Sequence, residues 1–314
     1  MKQEATLHPT RCRSFEGADD FWRVRDLLVE AYPRTPLGWN WDVRLWEGRW
    51  FYAENPVLDP KWTSKIGLWE TAEGRLVGVV CTEGGEAEAH LQLDPAYRHL
   101  EAEMIAWSEA HLAQPPREGA PPEIACFSLE MDATRIQVLR QRGYAQVDDH
   151  WIIRRISLDG PLPARRTLPA GYALRTTRPD DPTDCLRIAD ILNAAFGRDF
   201  HNGAEYHNFT RLAPSYVNDL DLVAVAPNGS FAAYVGIPYE ATNRRGIYEP
   251  VCTHPAHRRK GLARALMTEG LHRLAARGAQ TVTVETGNAV PANGLYDAMG
   301  FTESVVGHLW KKAL

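Results

Sequence analysis

Between Thr253 and Gly278 the apolar positions recur at helical spacing. Ala263, Leu266, Met267, Gly270, Leu271, Leu274 and Ala275 fall on one stripe, and Gly278 supplies a stop. Upstream, the short apolar run GIYEPVC (246–252) predicts a strand. Between strand and helix stand three consecutive cations, Arg258, Arg259 and Lys260, followed by Gly261. The same reading extends along this half of the chain. A helix is predicted at PTDCLRIADILNAAF (182–196), then a strand hairpin turning at Asn228-Gly229. After the central helix come a strand at QTVTVET, a short helix at PANGLYDAMG and a last strand at VVGHLWKK. The alternation predicts a mixed α/β sheet with helices packed on its faces.

The N-terminal half repeats this pattern. VRDLLVEAYP (24–33) resembles IADILNAAFG (188–197), each an amphipathic helix with an aromatic at its end. LDPAYRHLEAEMI (93–105) aligns with THPAHRRKGLARAL through Pro95 with Pro255, Ala96 with Ala256, and Arg98 with Arg258. VLRQRGYAQ (138–146) aligns with LYDAMGFTE (295–303), each with a glycine before an aromatic. Three matches in the same order, at an offset of about 160 residues, predict a tandem duplication of one α/β unit. A stretch rich in proline and glycine, SLDGPLPARRTLPAGYALR, marks the seam. The expected division is therefore 1–157 and 158–314, with a linker at about 157–172.

Composition narrows the class without changing this plan. At 314 residues, 44% hydrophobic and 24% charged, the chain has room for two globular cores. A net charge of -5 gives no reason to expect a nucleic-acid partner. The five cysteines are scattered and odd in number, which predicts reduced thiols and a cytoplasmic location. No apolar run reaches membrane-spanning length, and MKQEATLHPTRCRSF lacks the core of a signal peptide.

The basic loop carries the first chemistry. A helix N-terminus leaves backbone N–H groups unpaired and adds about half a positive charge, so it receives anions. Arg258-x-x-Gly261-x-Ala263 keeps small residues where a side chain would block a diphosphate. In isolation the same loop also reads as a plain cap with a solvated basic face. The stretch VCTHPAHRRKGLARAL nevertheless resembles the acyl-CoA-binding motif of the GNAT superfamily of N-acetyltransferases, and GNAVPANGLYDAMGF resembles the short Leu-Tyr helix of that family. The resemblance covers about residues 170–314. It implies two tandem GNAT-like domains, each a mixed, mostly antiparallel sheet flanked by helices. It implies acetyl-CoA as co-substrate, no metal, and a small-molecule or peptide amine as the group acetylated. The diphosphate would be held by Arg258, Arg259, Lys260, Gly261, Leu262, Ala263 and Arg264, with the pantetheine arm along Val251 and Thr253.

Acetyl transfer needs a base, because a lysine-like amine is neutral to only about one part in a thousand at pH 7. Glu249, on the strand feeding the loop, is the candidate, with a structural ion pair as its other reading. His254 and His257 are rivals in the solvated loop. Tyr296 matches the family tyrosine that protonates the departing thiolate, or else packs its ring in the core. A backbone N–H around Cys252 would hold the oxyanion. Asn288 and Asn293 are further cofactor candidates, although Ala289 stands where the family often has asparagine. Cys252 as a nucleophile lacks a His-Asp constellation in sequence.

The first copy departs from the motif. Glu101 and Glu103 stand where the second copy has Gly261 and Ala263, and Leu139 replaces Tyr296. Like charges would repel a diphosphate, so one site is expected, in the C-terminal copy. Trp39, Trp41, Trp46 and Trp50 read either as a cleft lining or as core. Two other functions fit the sequence: an idle acyl-CoA-binding sensor, and acetylation of a cysteinyl amine as in mycothiol synthase.

Overall fold

The computed structural model describes residues 9–52, 61–83 and 87–314, so the first eight residues of the MKQEATLHPTRCRSF stretch considered above lie outside it. In chain order the elements are β1 (Thr10–Ser14), α1 (Ala18–Ala31), α2 (Val43–Phe51), β2 (Gly67–Thr71), β3 (Leu76–Cys81), β4 (Glu88–Leu93), α3 (Glu101–His111), β5 (Glu123–Leu129), α4 (Ala133–Gln141) and β6 (Ala145–Ser157). They continue with β7 (Ala173–Thr176), α5 (Pro182–Phe196), α6 (Gly203–Leu212), β8 (Leu222–Val225), β9 (Phe231–Val235), β10 (Tyr239–Glu240) and β11 (Arg245–Tyr248). The last are β12 (Val251–Thr253), α7 (Leu262–Ala276), β13 (Thr281–Thr286), α8 (Val290–Met299) and β14 (Glu303–Ala313). The predicted helix at 182–196 and the hairpin turn at Asn228-Gly229 are both present.

Two compact units result. Among the described residues the first takes 9–41, 61–150 and 307–314, and the second takes 42–52 and 151–306. In the first unit β1 to β4 run antiparallel in succession, β4 pairs in parallel with β5, and Gly307–Ala313 of β14 lies antiparallel to β5. In the second unit β13 is antiparallel to β6 and parallel to β11, which is followed by β10. A further antiparallel sheet runs β12-β9-β8-β7. Each unit's parallel pair, β4 with β5 and β11 with β13, is linked through its main helix, α3 or α7. Parallel neighbours need such a crossover.

The duplication extends to single hydrogen bonds. α4 closes at Gly143 with φ 88° and α8 closes at Gly300 with φ 89°, both in the left-handed conformation that glycine adopts without strain. Tyr144 then donates to the Leu139 carbonyl, as Phe301 donates to that of Tyr296.

The units do not follow the single expected seam: 307–314 falls in the first, and 151–157 in the second. Residues 42–52 belong to the second unit, where Asp42 forms a bidentate pair with Arg245 at 3.0 and 3.0 Å and Glu47 accepts from Ser215. The expected linker is also packed. Leu158, Leu162 and Leu168 rest against the second core, whose centre is Leu266, Met267, Leu271 and Leu274 of α7 against Val282 and Val284 of β13. No helix among the described residues is long and apolar enough to cross a membrane.

Candidate active site

The strand that begins as β11 changes partners midway. Up to Tyr248 it pairs with β13, opposite Val284; beyond Pro250 it becomes β12 and pairs with β9. Proline supports the switch because it has no N–H for a ladder. The bonding phase of β12 follows from its ends: Gly236 donates to the Pro250 carbonyl at 3.0 Å, and His254 donates to that of Ala232 at 3.0 Å. Bonded pairs recur every second residue, so Cys252 is the bonded partner of Tyr234. Val251 and Thr253 therefore turn their N–H and C=O toward the edge that β13 has left. The expected oxyanion donor at Cys252 is spent on the ladder, and Val251 carries the unspent N–H.

Directly after β12 the loop unwinds. A short 3-10 turn (Pro255–His257) is capped by His254 Nδ1, which accepts from the Ala256 N–H at 3.2 Å. Arg258 is then extended, and Arg259 and Gly261 take φ of 65° and 75°. The left-handed region costs a non-glycine residue about 1 kcal/mol. Residues of this type make successive N–H groups converge, and such concavities bind anions. Gly261 caps α7 with no side-chain hydrogen bond, whereas Asp181 and Asn202 cap α5 and α6 with theirs. The cations divide their work. Arg258 donates to the Ala195 carbonyl at 3.1 Å and Arg264 to that of Ala298 at 2.9 Å. Arg259 and Lys260 are exposed and make no side-chain hydrogen bond among the described residues.

Glu249 is half-buried at the bend, its N–H donating to the Gly236 carbonyl at 3.0 Å. It lines a narrow cleft with Tyr52, Tyr206, Tyr216, Asp221 and Tyr234 among its walls. Behind one wall the buried Arg44 guanidinium donates to Tyr52 Oη at 2.9 Å and lies 4.6 Å from the Phe209 ring centre. Burial pushes the Tyr52 hydroxyl up to about 12, with Arg44 opposing and Glu205, Glu249 and Asp221 adding to the rise. Sequence reasoning missed this cleft. One of its wall residues, Tyr52, lies two positions after Trp50 of the tryptophan-rich segment. Trp46 is fully buried, and Trp39 donates to Asp132 at 2.7 Å within the first unit.

Tyr296 is buried, edge-on to Phe301 at 5.9 Å, in the core of the second unit. Burial, then the nearby Glu249 charge, raises its hydroxyl well above the ordinary value, so it stays protonated. The two expected catalytic groups thus lie within electrostatic reach of each other. Burial also pushes the Cys252 thiol up to about 12, which leaves it neutral and unreactive. His257 is held by Tyr172 at 2.9 Å and shifted down, chiefly by burial and then by His254 and Lys260. Asn293 donates to the carbonyls of Gly287 and Ala289 and accepts from Arg154, so it ties down the turn into α8. Asn288 is exposed.

Known proteins resemble the chain in two ways. Residues 186–301 match the acetyltransferase (GNAT) family. Streptothricin acetyltransferase of Streptomyces lavendulae is 30% identical over 132 residues, covering 42% of this chain and 63% of that protein. The chain thus spans less than two thirds of that curated relative's length. A GCN5-related N-acetyltransferase from Sphaerobacter thermophilus superposes with a TM-score of 0.64 at 19% identity, over 97% of this chain and 95% of that one. A tandem GNAT protein from the clavulanic acid biosynthesis pathway does so with a TM-score of 0.65 at 16% identity, over 97% and 98%. At such identities the likeness is one of fold, and it extends over both units.

Proposed function

With a GNAT acetyltransferase domain in its second unit as premise, we propose that the chain moves an acetyl group from acetyl-CoA to a primary amine by direct attack on the thioester. One site, in the second unit, carries the reaction. The observation behind this reading is the switch of the strand from β13 to β9 just ahead of the uncapped α7. The N–H groups from Arg259 to Arg264 receive the diphosphate, and Val251 and Thr253 pair with the pantetheine arm.

Each step then falls to a residue of this chain. Glu249 takes the proton from the bound ammonium, directly or through water, and the neutral amine then attacks. The Val251 N–H faces the oxygen on which charge develops as the amine adds to the carbonyl carbon. The carbon–sulfur bond breaks, Tyr296 protonates a thiolate whose free pKa is about 8.5, and the surplus proton on the new amide nitrogen returns to the tyrosinate. The relative that acts on streptothricin makes that compound one amine to try.

A panel of amines with acetyl-CoA, followed by thiol release, tests the reading. The expected result is release that depends on at least one amine. Tight binding of acetyl-CoA with no amine-dependent release would instead mark an idle acyl-CoA-binding protein.

A further inference from the structure

The hairpin of β3 and β4 in the first unit gathers three side chains that acetyl transfer does not use. Cys81 pairs with His90 across these strands, and the same register continued past Cys81 brings Glu83 to the level of Glu88. Successive side chains on a strand alternate, so Glu88 and His90 share a face. One carboxylate oxygen of each glutamate and a ring nitrogen of His90 all lie within 4.8 Å of one another. Like charges facing each other across a hairpin destabilise it. Lys311 acts on Glu88 only at a distance, its ammonium standing 3.7 Å from Glu123 instead.

His90 is the buried member of the group. It is 8% exposed, with its ring centre 5.0 Å from that of Trp41 and 6.0 Å from that of Phe127. Its Nε2 is buried and has no hydrogen-bond partner among the described residues. That nitrogen faces the two carboxylates, 3.6 Å from Glu88 Oε2 and 3.9 Å from Glu83 Oε2. A protonated imidazole bonded to a carboxylate would close to about 2.7–2.9 Å. Two ligand atoms about 2.1 Å from a zinc ion, by contrast, stand about 3.4 Å apart across a tetrahedral angle. The spacing here suits a shared ion better than a shared proton. A carboxylate offers about four lone-pair sites, so each glutamate can ligate and still keep other contacts.

We propose that Glu83, Glu88 and His90 bind one divalent transition-metal cation of the zinc type, which clasps the mouth of the hairpin and keeps water in its fourth position. Imidazole beside carboxylate suits such an ion, whereas magnesium and calcium take oxygen ligands. The cation offsets the two facing negative charges and gives the orphaned nitrogen a partner. Acetyl transfer calls for no metal and is assigned to the other unit, so this inference stands apart from that reading.

Calorimetric titration of the metal-free full chain with zinc chloride tests this. One strong site is expected, and magnesium chloride at the same concentrations should not fill it. Glu88→Gln and His90→Gln should each weaken zinc binding at least tenfold, the loss expected when even an outer partner of a metal ligand is removed. His90 is buried, so Glu83→Gln at an exposed position is the variant that keeps the test open should His90→Gln fail to fold. It should weaken the site several-fold. His150 and His308, with ring centres 5.7 Å apart, form a rival imidazole pair in the same unit. His308→Gln should leave the strong site in place. The proposal is overturned if wild type shows no strong site, if magnesium fills it equally well, or if His308→Gln abolishes it. A strong site that survives both Glu83→Gln and Glu88→Gln overturns it as well.

Discussion

Two helices in this chain follow the same tetrapeptide frame, Pro-Ala-x-Arg, and they begin in opposite ways. At Pro95 and at Pro255 a 3-10 turn starts, and the preceding side chain, Asp94 or His254, caps the alanine N–H. In the first unit the turn runs on through Leu100 into α3, and the Glu101 N–H is bonded to the Arg98 carbonyl. In the second unit the backbone leaves the helical region at Arg258 and re-enters only after Gly261. One helix mouth is filled by its own chain and the other is left open. The side chains repeat the contrast. Arg98 and Arg135 share Glu101, Arg98 also pairs with Asp132, and Glu103 accepts from Trp69 at 2.8 Å. A duplicated unit can thus keep its fold while backbone and side chains together close the anion site.

The largest expected effect breaks the chemical side of this contrast. At the position of Glu249 the first unit has Ala89. Glu249→Gln should lower kcat by about 10³-fold, within the usual 10²–10⁴ range for a general base, while leaving acetyl-CoA affinity in place. The loss should be smaller at high pH, where more amine is already neutral. Steady-state kinetics across pH 7 to 10 check both points; an unchanged kcat removes Glu249 from the mechanism.

Glu101→Ala comes next, and it separates charge from backbone. Removing a carboxylate 1% exposed strands Arg135, itself 2% exposed, at a cost of about 3 kcal/mol in urea unfolding. No second acetyl-CoA site should appear in calorimetry, because the helix N–H groups stay bonded to the turn ahead of them. A stoichiometry of two would show that the carboxylates alone had silenced this unit. Gly261→Glu makes the reciprocal change. It should raise the Kd for acetyl-CoA about 100-fold, equivalent to about 2.7 kcal/mol, as expected for a like charge placed near the diphosphate.

Much of this contrast was legible in the sequence, since helical stripes, glycine stops and the Pro-Ala-x-Arg frame are local signals. Glu101 and Glu103 could be matched to Gly261 and Ala263 without coordinates. The left-handed Arg259 could not, because nothing in an arginine announces a positive φ. Nor could the choice of Val251 over Cys252, which depends on a bonding phase set by β9. The tyrosine-lined cleft was hidden for another reason. Asp221, Tyr206 and Tyr234 lie on separate elements, and Tyr52 reaches them from a segment more than a hundred residues away in the chain. No periodicity groups these residues, and only the fold shows that the Tyr206 and Tyr234 hydroxyls converge on Asp221.

The smallest effect concerns pH and the closed mouth of α3. Burial alone would raise the Asp132 carboxyl, but Arg98, then Arg135 and Trp39, hold it below its ordinary range. A carboxylate whose folded pKa is depressed adds stability that is fully present above the unfolded value, near 3.9, and is lost as pH falls through the folded value. Arg98→Gln removes the strongest of these partners and so lets the folded value drift back up. Arg98 is about one-third exposed, so solvent screens the pair and the variant should lose only about 1 kcal/mol at pH 7. Below pH 4 wild type loses the same contribution, and the gap between the two proteins should close. Urea midpoints for both at pH 7, 5 and 3 check this. A gap that stays constant to pH 3 would assign the loss to the packing of Arg98 over Trp39, whose ring centre lies 5.2 Å away, rather than to its charge.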